Sequence, residues 1–154
     1  MLATTTETQA RLLPRAKEID ASLPAIPAHS MPNRSPLELL ILARQGVAEA
    51  VDEPHDGLRY ATAHLAALRA AAAVLAIRAR PATKQRGQVT SVWRLLTQVA
   101  PELREWADFF AATARKRTMA QSGVPHVVST READDLARDA EHFISVVTAL
   151  LGLR

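Results

Sequence analysis

The 154-residue chain has no cysteine and only five glycines. Aromatic residues are also scarce, since Phe, Trp and Tyr make up 4% of the chain. Without cysteine it cannot form a disulfide scaffold, a thiolate zinc site or a cysteine nucleophile. No run of about 18 apolar residues occurs, and the N-terminus lacks the apolar core of a signal peptide. We therefore expect a cytoplasmic protein that does not span a membrane.

The residue types that are abundant favour helices. Alanine, leucine and arginine dominate, and these residues prefer helices to strands. With 48% apolar residues the chain can bury one sizeable core, so we expect one domain with a terminal extension. The net charge of +3 is too small to identify a nucleic-acid-binding protein unless the charges are unevenly placed.

Prolines divide the chain into an extension and a predicted bundle. Residues 21–34 contain three prolines, which exclude a regular helix and indicate a linker. The preceding residues 6–20 either form a short polar helix or stay disordered. We therefore assign residues 1–34 to an N-terminal extension and residues 35–154 to the bundle.

Four principal helices are predicted within the bundle. The capping boxes SPLE and STRE, which begin at residues 35 and 129, start the first and the last helix. Pro101 kinks or splits the third helical region. The first helix is expected to end near Asp52 to Pro54, the second to run from about Asp56 to Arg80, and the last to reach Leu150.

The second helix carries two apolar patterns. One repeats at alternating spacings of three and four, which is typical of a core face in a bundle. It comprises Leu58, Ala61, Leu65, Leu68, Ala72, Leu75 and Ala79. The other pattern is a set of small residues that permits close approach of another helix, and we expect a homodimer contact through it. These residues are Ala66, Ala67, Ala70, Ala71 and Ala73.

Three stretches in this order resemble the HEPN superfamily, and in particular a small actinobacterial branch of it. They are RYATAHLAALRAAAAVLAIRARP, SVWRLLTQVAPELREWADFF and TREADDLARDAEHFISVV. With the first helix they span residues 35–152. The resemblance implies an all-α, antiparallel bundle of four to five helices, which in many members dimerises and binds nucleotides or RNA.

The resemblance also implies a possible pair of catalytic residues. Many HEPN domains are metal-independent ribonucleases that carry Arg, four to six residues, then His, and Arg59 and His64 fit this spacing. In those enzymes the Arg stabilises the phosphorane and the His moves the proton of the attacking 2'-hydroxyl. Two departures weaken the parallel. Tyr60 follows the Arg where the nucleases usually have a small polar residue, and the nuclease motif commonly lies on a later helix.

Helical geometry separates Arg59 from His64. Five residues turn an ideal helix through about 500°, so the two side chains point roughly 140° apart, with Arg59 directed almost away from the predicted core face. Two readings follow. Either a dimer groove gathers both motifs, or His64 lies at the core boundary with one hydrogen bond and Arg59 is solvated near Asp56.

Basic residues are segregated in the sequence. No acidic residue occurs between Asp56 and Glu102, and the arginines and the single lysine of this region could present a basic strip to phosphates. Alternatively, these cations pair with acidic residues of the last helix or of a partner. The candidate nucleic-acid-binding residues are Arg69, Arg78, Arg80, Lys84, Arg86 and Arg94.

No metal site is predicted. Asp135, Asp139 and His142 lie at helical spacing on the last helix, where they could share one face. Such a face is far more often solvated and ion-paired, here with Arg131 and Arg138, than metal-binding. We likewise expect no cofactor.

The sequence therefore favours a cytoplasmic, non-catalytic module associated with RNA or nucleotides. Two alternatives stay open. One is a metal-independent endoribonuclease that uses Arg59 and His64, and the other is a protein–protein adaptor that docks a partner through the basic strip or the extension. The fold cannot choose among them, because function depends on the site.

Overall fold

The computed structural model of the protein describes residues 22–83 and 90–153. Within these residues five α-helices pack together, and two strands of two residues each pair beside them. The predicted all-α bundle of four to five helices is thus confirmed. In chain order the elements are β1 (Ala25–Ile26), α1 (Pro36–Asp52), α2 (Asp56–Arg78), β2 (Arg80–Pro81), α3 (Val92–Val99), α4 (Arg104–Gln121) and α5 (Thr130–Leu151).

Local sequence signals set the helix ends. The Ser35 hydroxyl accepts a hydrogen bond of 3.1 Å from the Glu38 amide at the start of α1. At the start of α5 the Ser129 hydroxyl accepts from the Glu132 amide at 3.0 Å, and the Glu132 carboxylate accepts from the Ser129 amide at 3.3 Å. Pro101 begins a short 3₁₀ turn that separates α3 from α4. These predicted boundaries are therefore confirmed.

Helix α2 lies at the centre of the bundle and contacts the other four helices. Its small residues are completely buried where these neighbours approach, as Ala66, Ala67, Ala70, Ala71 and Ala73 show. The predicted homodimer contact through these five alanines is wrong, because helices of the same chain already cover them.

The predicted core face of α2 is confirmed only in its second half. Leu58 is 48% exposed and Leu65 is half-buried, whereas Leu68 and Ala72 pack against the core and Leu75 and Ala79 are buried. A helix enclosed by four neighbours needs small residues wherever two axes come close, so its larger side chains are pushed to the gaps between neighbours. At one such crossing a Cβ placed on Gly46 of α1 would lie 3.1 Å from the Ala66 Cβ.

Aromatic side chains from the last three helices fill the core beside α2. The rings of Trp93 and Phe110 are stacked with their centroids 5.0 Å apart, and Phe143 lies 5.2 Å from Phe110. Because these residues come from α3, α4 and α5, the cluster fixes the three helices against one another.

Part of the predicted linker belongs to the folded domain. Strand β1 pairs in parallel with β2, and the Arg80 amide donates to the Pro24 carbonyl at 2.9 Å. Ile26 is 2% exposed and packs in a small apolar cluster with Leu75 and Leu95. The prolines prevent a long helix here but permit a short extended segment at a sheet edge. The possible helix at residues 6–20 lies outside the described residues.

Among the described residues α2 is also long and apolar enough to cross a membrane by length and composition alone. More than half of that stretch, 56%, is buried inside the bundle. Core helices pass the same test, so this property follows from the central position of α2.

Candidate nucleic-acid interface

Arg59 is buried between α2, α5 and the turn that precedes α2. One of its terminal nitrogens, Nη1, donates to the Glu53 carbonyl at 2.8 Å, and the other, Nη2, donates to Asp56 Oδ1 at 2.6 Å. Its Nε lies 3.0 Å from Asp134 Oδ1 on α5, although the N–H is not directed at that oxygen. Arg59 is only 7% exposed, so the expected solvated position is wrong. The reason is that α5 covers the side of α2 that carries Arg59, which the helical geometry directed away from the predicted core face.

Asp56 joins this ion pair to the start of α5. Its Oδ2 accepts from the Thr130 hydroxyl at 2.8 Å. The hydrogen bond from Thr130 and then the bond from Arg59 lower the pKa of Asp56 below its usual value. Arg59 and Asp56 thus connect the beginnings of α2 and α5, which is a structural task.

His64 leaves α2 on another side and enters the aromatic core. Its Nε2 lies 2.9 Å from the Phe110 carbonyl oxygen, and its ring stands edge-on to Trp93 at 5.7 Å. A carbonyl oxygen only accepts, so Nε2 carries the hydrogen and Nδ1 does not when the ring is neutral. The buried Nδ1 has no hydrogen-bond partner in the described part of the chain. Burial lowers the pKa of His64, and the charge of Arg117 adds to this, whereas the bond to Phe110 opposes it.

Arg59 and His64 therefore diverge, as their spacing on one helix predicted. Arg59 points to α5, whereas His64 points to α3 and α4 and is 1% exposed. Tyr60 between them is 3% exposed, and burial raises its pKa. In the single chain neither member of the candidate catalytic pair presents a free group to a substrate.

The residues of the predicted basic strip differ in their contacts and their exposure. Arg78 forms an ion pair with Glu102, and Arg80 donates through Nε to the Leu23 carbonyl at 3.0 Å. Arg69 is half-buried, with Nη1 3.6 Å from the position of a Cβ on Gly46. Lys84 and Arg86 lie outside the described residues. Arg94 is exposed on α3.

Arg94 lies on one rim of a groove between α3 and α4. Arg104, at the first position of α4, lies on the other rim, and both side chains are exposed. The groove is open to solvent and has a volume of about 380 Å³. Its remaining polar lining consists of Ser91, Thr97, Gln98 and Asp108.

The electrostatics of this groove differ from those of the strip. Within residues 22–83 and 90–153 neither Arg94 nor Arg104 forms an ion pair, so both guanidinium groups are free for a ligand. The Ser91 hydroxyl accepts from the Arg94 amide at 3.2 Å and so fixes the start of α3. Trp93 stacks on Phe110 on the core side and is 4% exposed in the groove. The groove therefore offers two cations beside a carboxylate, an amide and hydroxyl groups.

Sequence analysis missed Arg104. It follows Glu102 in the sequence, beyond the run without acidic residues, and its place opposite α3 depends on the reversal of the chain at Pro101. Pro101 predicts a break between two helices, but the sequence does not predict the angle between them. The spacing of ten residues between Arg94 and Arg104 alone does not indicate a shared groove.

The acidic side of α5 does not form a metal site in the described residues. No group of three or more His, Asp and Glu side chains there could hold a metal ion. Asp135 instead pairs with Arg138, and Glu132 pairs with Lys116 of α4.

Comparison with known proteins gives one result for this chain. A family model described as SAV_6107-like HEPN matches residues 48–148, which include all of α2 to α4 and most of α5. No curated protein and no solved structure gives a match. Because the matched residues are about two thirds of the chain, and because the structure is a helical bundle over that range, the chain belongs to the HEPN superfamily in its SAV_6107-like family.

Proposed function

We propose that this HEPN domain is a non-catalytic cytoplasmic module that binds RNA or a nucleotide through the groove between α3 and α4. The observation that carries the proposal is the pair Arg94 and Arg104, which are exposed on opposite rims and unpaired among the described residues. Arginine binds phosphate through two parallel hydrogen bonds, and such charge-assisted bonds are stronger than neutral ones.

The other residues of the groove suit the rest of a nucleotide. Gln98 and Thr97 offer donors and acceptors for a base edge or a sugar hydroxyl, and Asp108 offers an acceptor. Arg78 and Arg80 are less suited to phosphate, because an acidic partner and a carbonyl already occupy them. The proposed contact surface is therefore narrower than the strip predicted from sequence.

Salt dependence of RNA binding tests the proposal. Each cation that contacts a phosphate of a single strand adds about 0.7 to the slope of log affinity against log salt concentration. We expect Arg94→Ala with Arg104→Ala to lower affinity for a labelled single-stranded RNA of about 12 nucleotides and to reduce the slope by about 1.4. Fluorescence anisotropy at several salt concentrations measures both.

A matched control separates the groove from general charge. Arg34→Ala with Arg115→Ala also removes two exposed cations that have no ion pair in the described residues, but both lie outside the groove. This control should keep the wild-type slope within about half a unit. Equal losses in both double variants, or no binding by the wild-type protein, would refute the proposed surface.

The nuclease alternative receives no support from the arrangement of Arg59 and His64. A substrate would have to displace the ion pairs of Arg59 and enter the core to reach His64. We therefore expect no RNA cleavage in EDTA. Cleavage that leaves 2',3'-cyclic phosphate ends and is lost in folded His64→Ala would restore the nuclease assignment.

A further inference from the structure

Helix α2 carries an apolar stripe that the described helices leave partly open. This α2 stripe comprises the first five members of the predicted core face, Leu58, Ala61, Leu65, Leu68 and Ala72. Leu58 is 48% exposed, and the other four residues are half-buried. The members follow one another at spacings of three, four, three and four, which is the spacing of a seam between two packed segments.

The α2 stripe lies in a gap between α1 and α3. On one side of the gap Ala66 of α2 approaches Gly46 of α1, and on the other side His64 contacts Trp93 of α3. An ideal helix turns about 100° per residue, so the stripe residues lie about 40–120° from His64 and Ala66 about 200° from it. Helices α1 and α3 do not pack closely against each other within residues 22–83 and 90–153. The described helices therefore leave room for a further segment above the α2 stripe.

Strand β1 shows which part of the chain enters this gap. Ala79, which continues the pattern of the α2 stripe, packs with Ile26 of β1 and with Leu95 of α3. Strand β1 runs parallel to β2, with Ala25 opposite Arg80. Because β2 leaves the C-terminal end of α2, the chain that precedes a parallel β1 lies on the side of α2. The N-terminal part of the chain therefore reaches the end of the α2 stripe.

The N-terminal segment has the length and the apolar residues to cover the α2 stripe. The described residues begin at residue 22. Helix α2 has 23 residues, or about 35 Å, and residues 1–21 extend over about 32 Å as a helix and further as an extended chain. Leu12, Ala16 and Ile19 recur at spacings of four and three, which match the spacings of the α2 stripe.

We propose that residues 6–20 lie on the α2 stripe, parallel to α2, and close the core on its open side. Continuation of the register between β1 and β2 brings residues 12–19 beside residues 67–74. The apolar side chains of the segment then cover Leu65 and Leu68, which removes their exposed surface from water. This contact is independent of RNA binding, because the α2 stripe shares no residue with the α3–α4 groove.

Cysteine cross-linking in the full chain tests the position of the segment. The natural chain has no cysteine, so an introduced pair reacts alone. A short bismaleimide should join Ala16→Cys to Ala72→Cys within one chain, and peptide mass spectrometry identifies the link. Ala16→Cys with Ala48→Cys is the matched control, because Ala48 is exposed on α1 beside α5. The first pair should react roughly tenfold faster or more, since contact raises the effective concentration.

Trypsin tests the apolar contact, because the segment contains Arg11, Arg15 and Lys17. Cleavage needs release of the segment, so its rate follows the population of the released form. Leu65→Glu should speed this cleavage by roughly tenfold or more, since burial of one leucine stabilises a contact by at least that factor. Ile77→Glu is the matched control, because Ile77 is exposed on another side of α2, and its cleavage should keep the wild-type rate.

A second variant guards against misfolding. Circular dichroism verifies that each protein is folded. Leu58→Glu changes a residue that is already 48% exposed, so it should leave the fold intact and still speed cleavage of the segment.

Three results would overturn the proposal. Cross-linking of residue 16 to residue 72 that is no faster than to residue 48 would exclude the proposed position. Links that join only ¹⁴N-labelled to ¹⁵N-labelled chains in a mixture would place the segment on a second copy. Wild-type cleavage rates in folded Leu65→Glu and Leu58→Glu would show that the α2 stripe does not hold the segment.

Discussion

The start of α2 and the groove between α3 and α4 both hold arginine, but acidic partners enclose the arginine at the start of α2 and not those of the groove. At the start of α2, Arg59 is enclosed by two carboxylates and a carbonyl, and His64 is bonded inside the core. In the groove, Arg94 and Arg104 are exposed and without ion pairs among the described residues. In the single chain the motif that looks catalytic in the sequence makes contacts that hold helices together, and the two exposed cations of the groove lie where the sequence shows no motif.

The largest expected difference between the two regions is in stability. Arg59→Ala should lower the free energy of unfolding by about 2–3 kcal/mol, because Asp56, Asp134 and the Glu53 carbonyl lose their cation. The loss should stay below the cost of breaking a fully buried pair, since Asp134 is 57% exposed. Urea unfolding measures it. Arg94→Ala should change the same quantity by less than about 0.5 kcal/mol, and comparable losses would mean that the groove is structural too.

For RNA affinity, unlike stability, substitutions in the groove should have a larger effect than substitutions at the start of α2. Arg94→Glu with Arg104→Glu should reduce affinity at low salt by roughly tenfold or more, because each substitution places a negative charge beside the phosphates. Thermal unfolding should be nearly unchanged, since both side chains are exposed. Anisotropy titrations and circular dichroism check the two parts. Unchanged affinity in a folded variant would show that the groove does not bind RNA.

A smaller effect is expected in the pH dependence of stability, which depends on the buried His64. Burial lowers the pKa of His64 below its usual 6.5, so the unfolded chain binds its proton more readily than the folded chain does. The stability provided by neutral His64 is present above pH 6.5 and is lost as the pH falls toward the lowered pKa. His64→Gln should therefore reduce the decline of melting temperature between about pH 7.5 and 5, and His142→Gln, an exposed control, should not. An equal decline in His64→Gln and the wild type would contradict a buried, neutral imidazole.

The smallest effect is expected for the strip residue Arg78. Its pair with Glu102 is partly exposed, so Arg78→Ala should cost less than about 1 kcal/mol of unfolding free energy. RNA affinity should change less than in Arg94→Ala, because Arg78 is already neutralised by a carboxylate. Parallel titrations of the two single variants measure the difference, and a larger loss with Arg78→Ala would restore the wider strip.

The helix boundaries could be predicted because they depend on local chemistry. Ser35, Ser129 and Pro101 act on residues within one turn of themselves, so their effects are readable from adjacent letters. Family membership was equally readable, since it rests on the order of three helical stretches.

The core face of α2 could be predicted by the same means only in its second half. Periodicity marks the face richest in leucine, but α2 has neighbours on several sides, and its closest neighbours require alanine. The same cause hid the burial of Arg59, because α5 comes from more than 70 residues away in the chain. Arg104 was not predicted as a site residue, because the groove that it shares with Arg94 forms only when α3 and α4 pack together.

Chemical-shift mapping with RNA tests the central comparison most directly. The chain has two tryptophans, so their indole N–H signals report separately on the groove at Trp93 and on Trp106 outside it. Adding single-stranded RNA to ¹⁵N-labelled protein should shift the Trp93 indole and the amides of Arg94, Thr97, Gln98 and Arg104, and leave those of Arg59 and His64 in place. Shifts concentrated at Arg59 and His64, with the groove unchanged, would contradict the account.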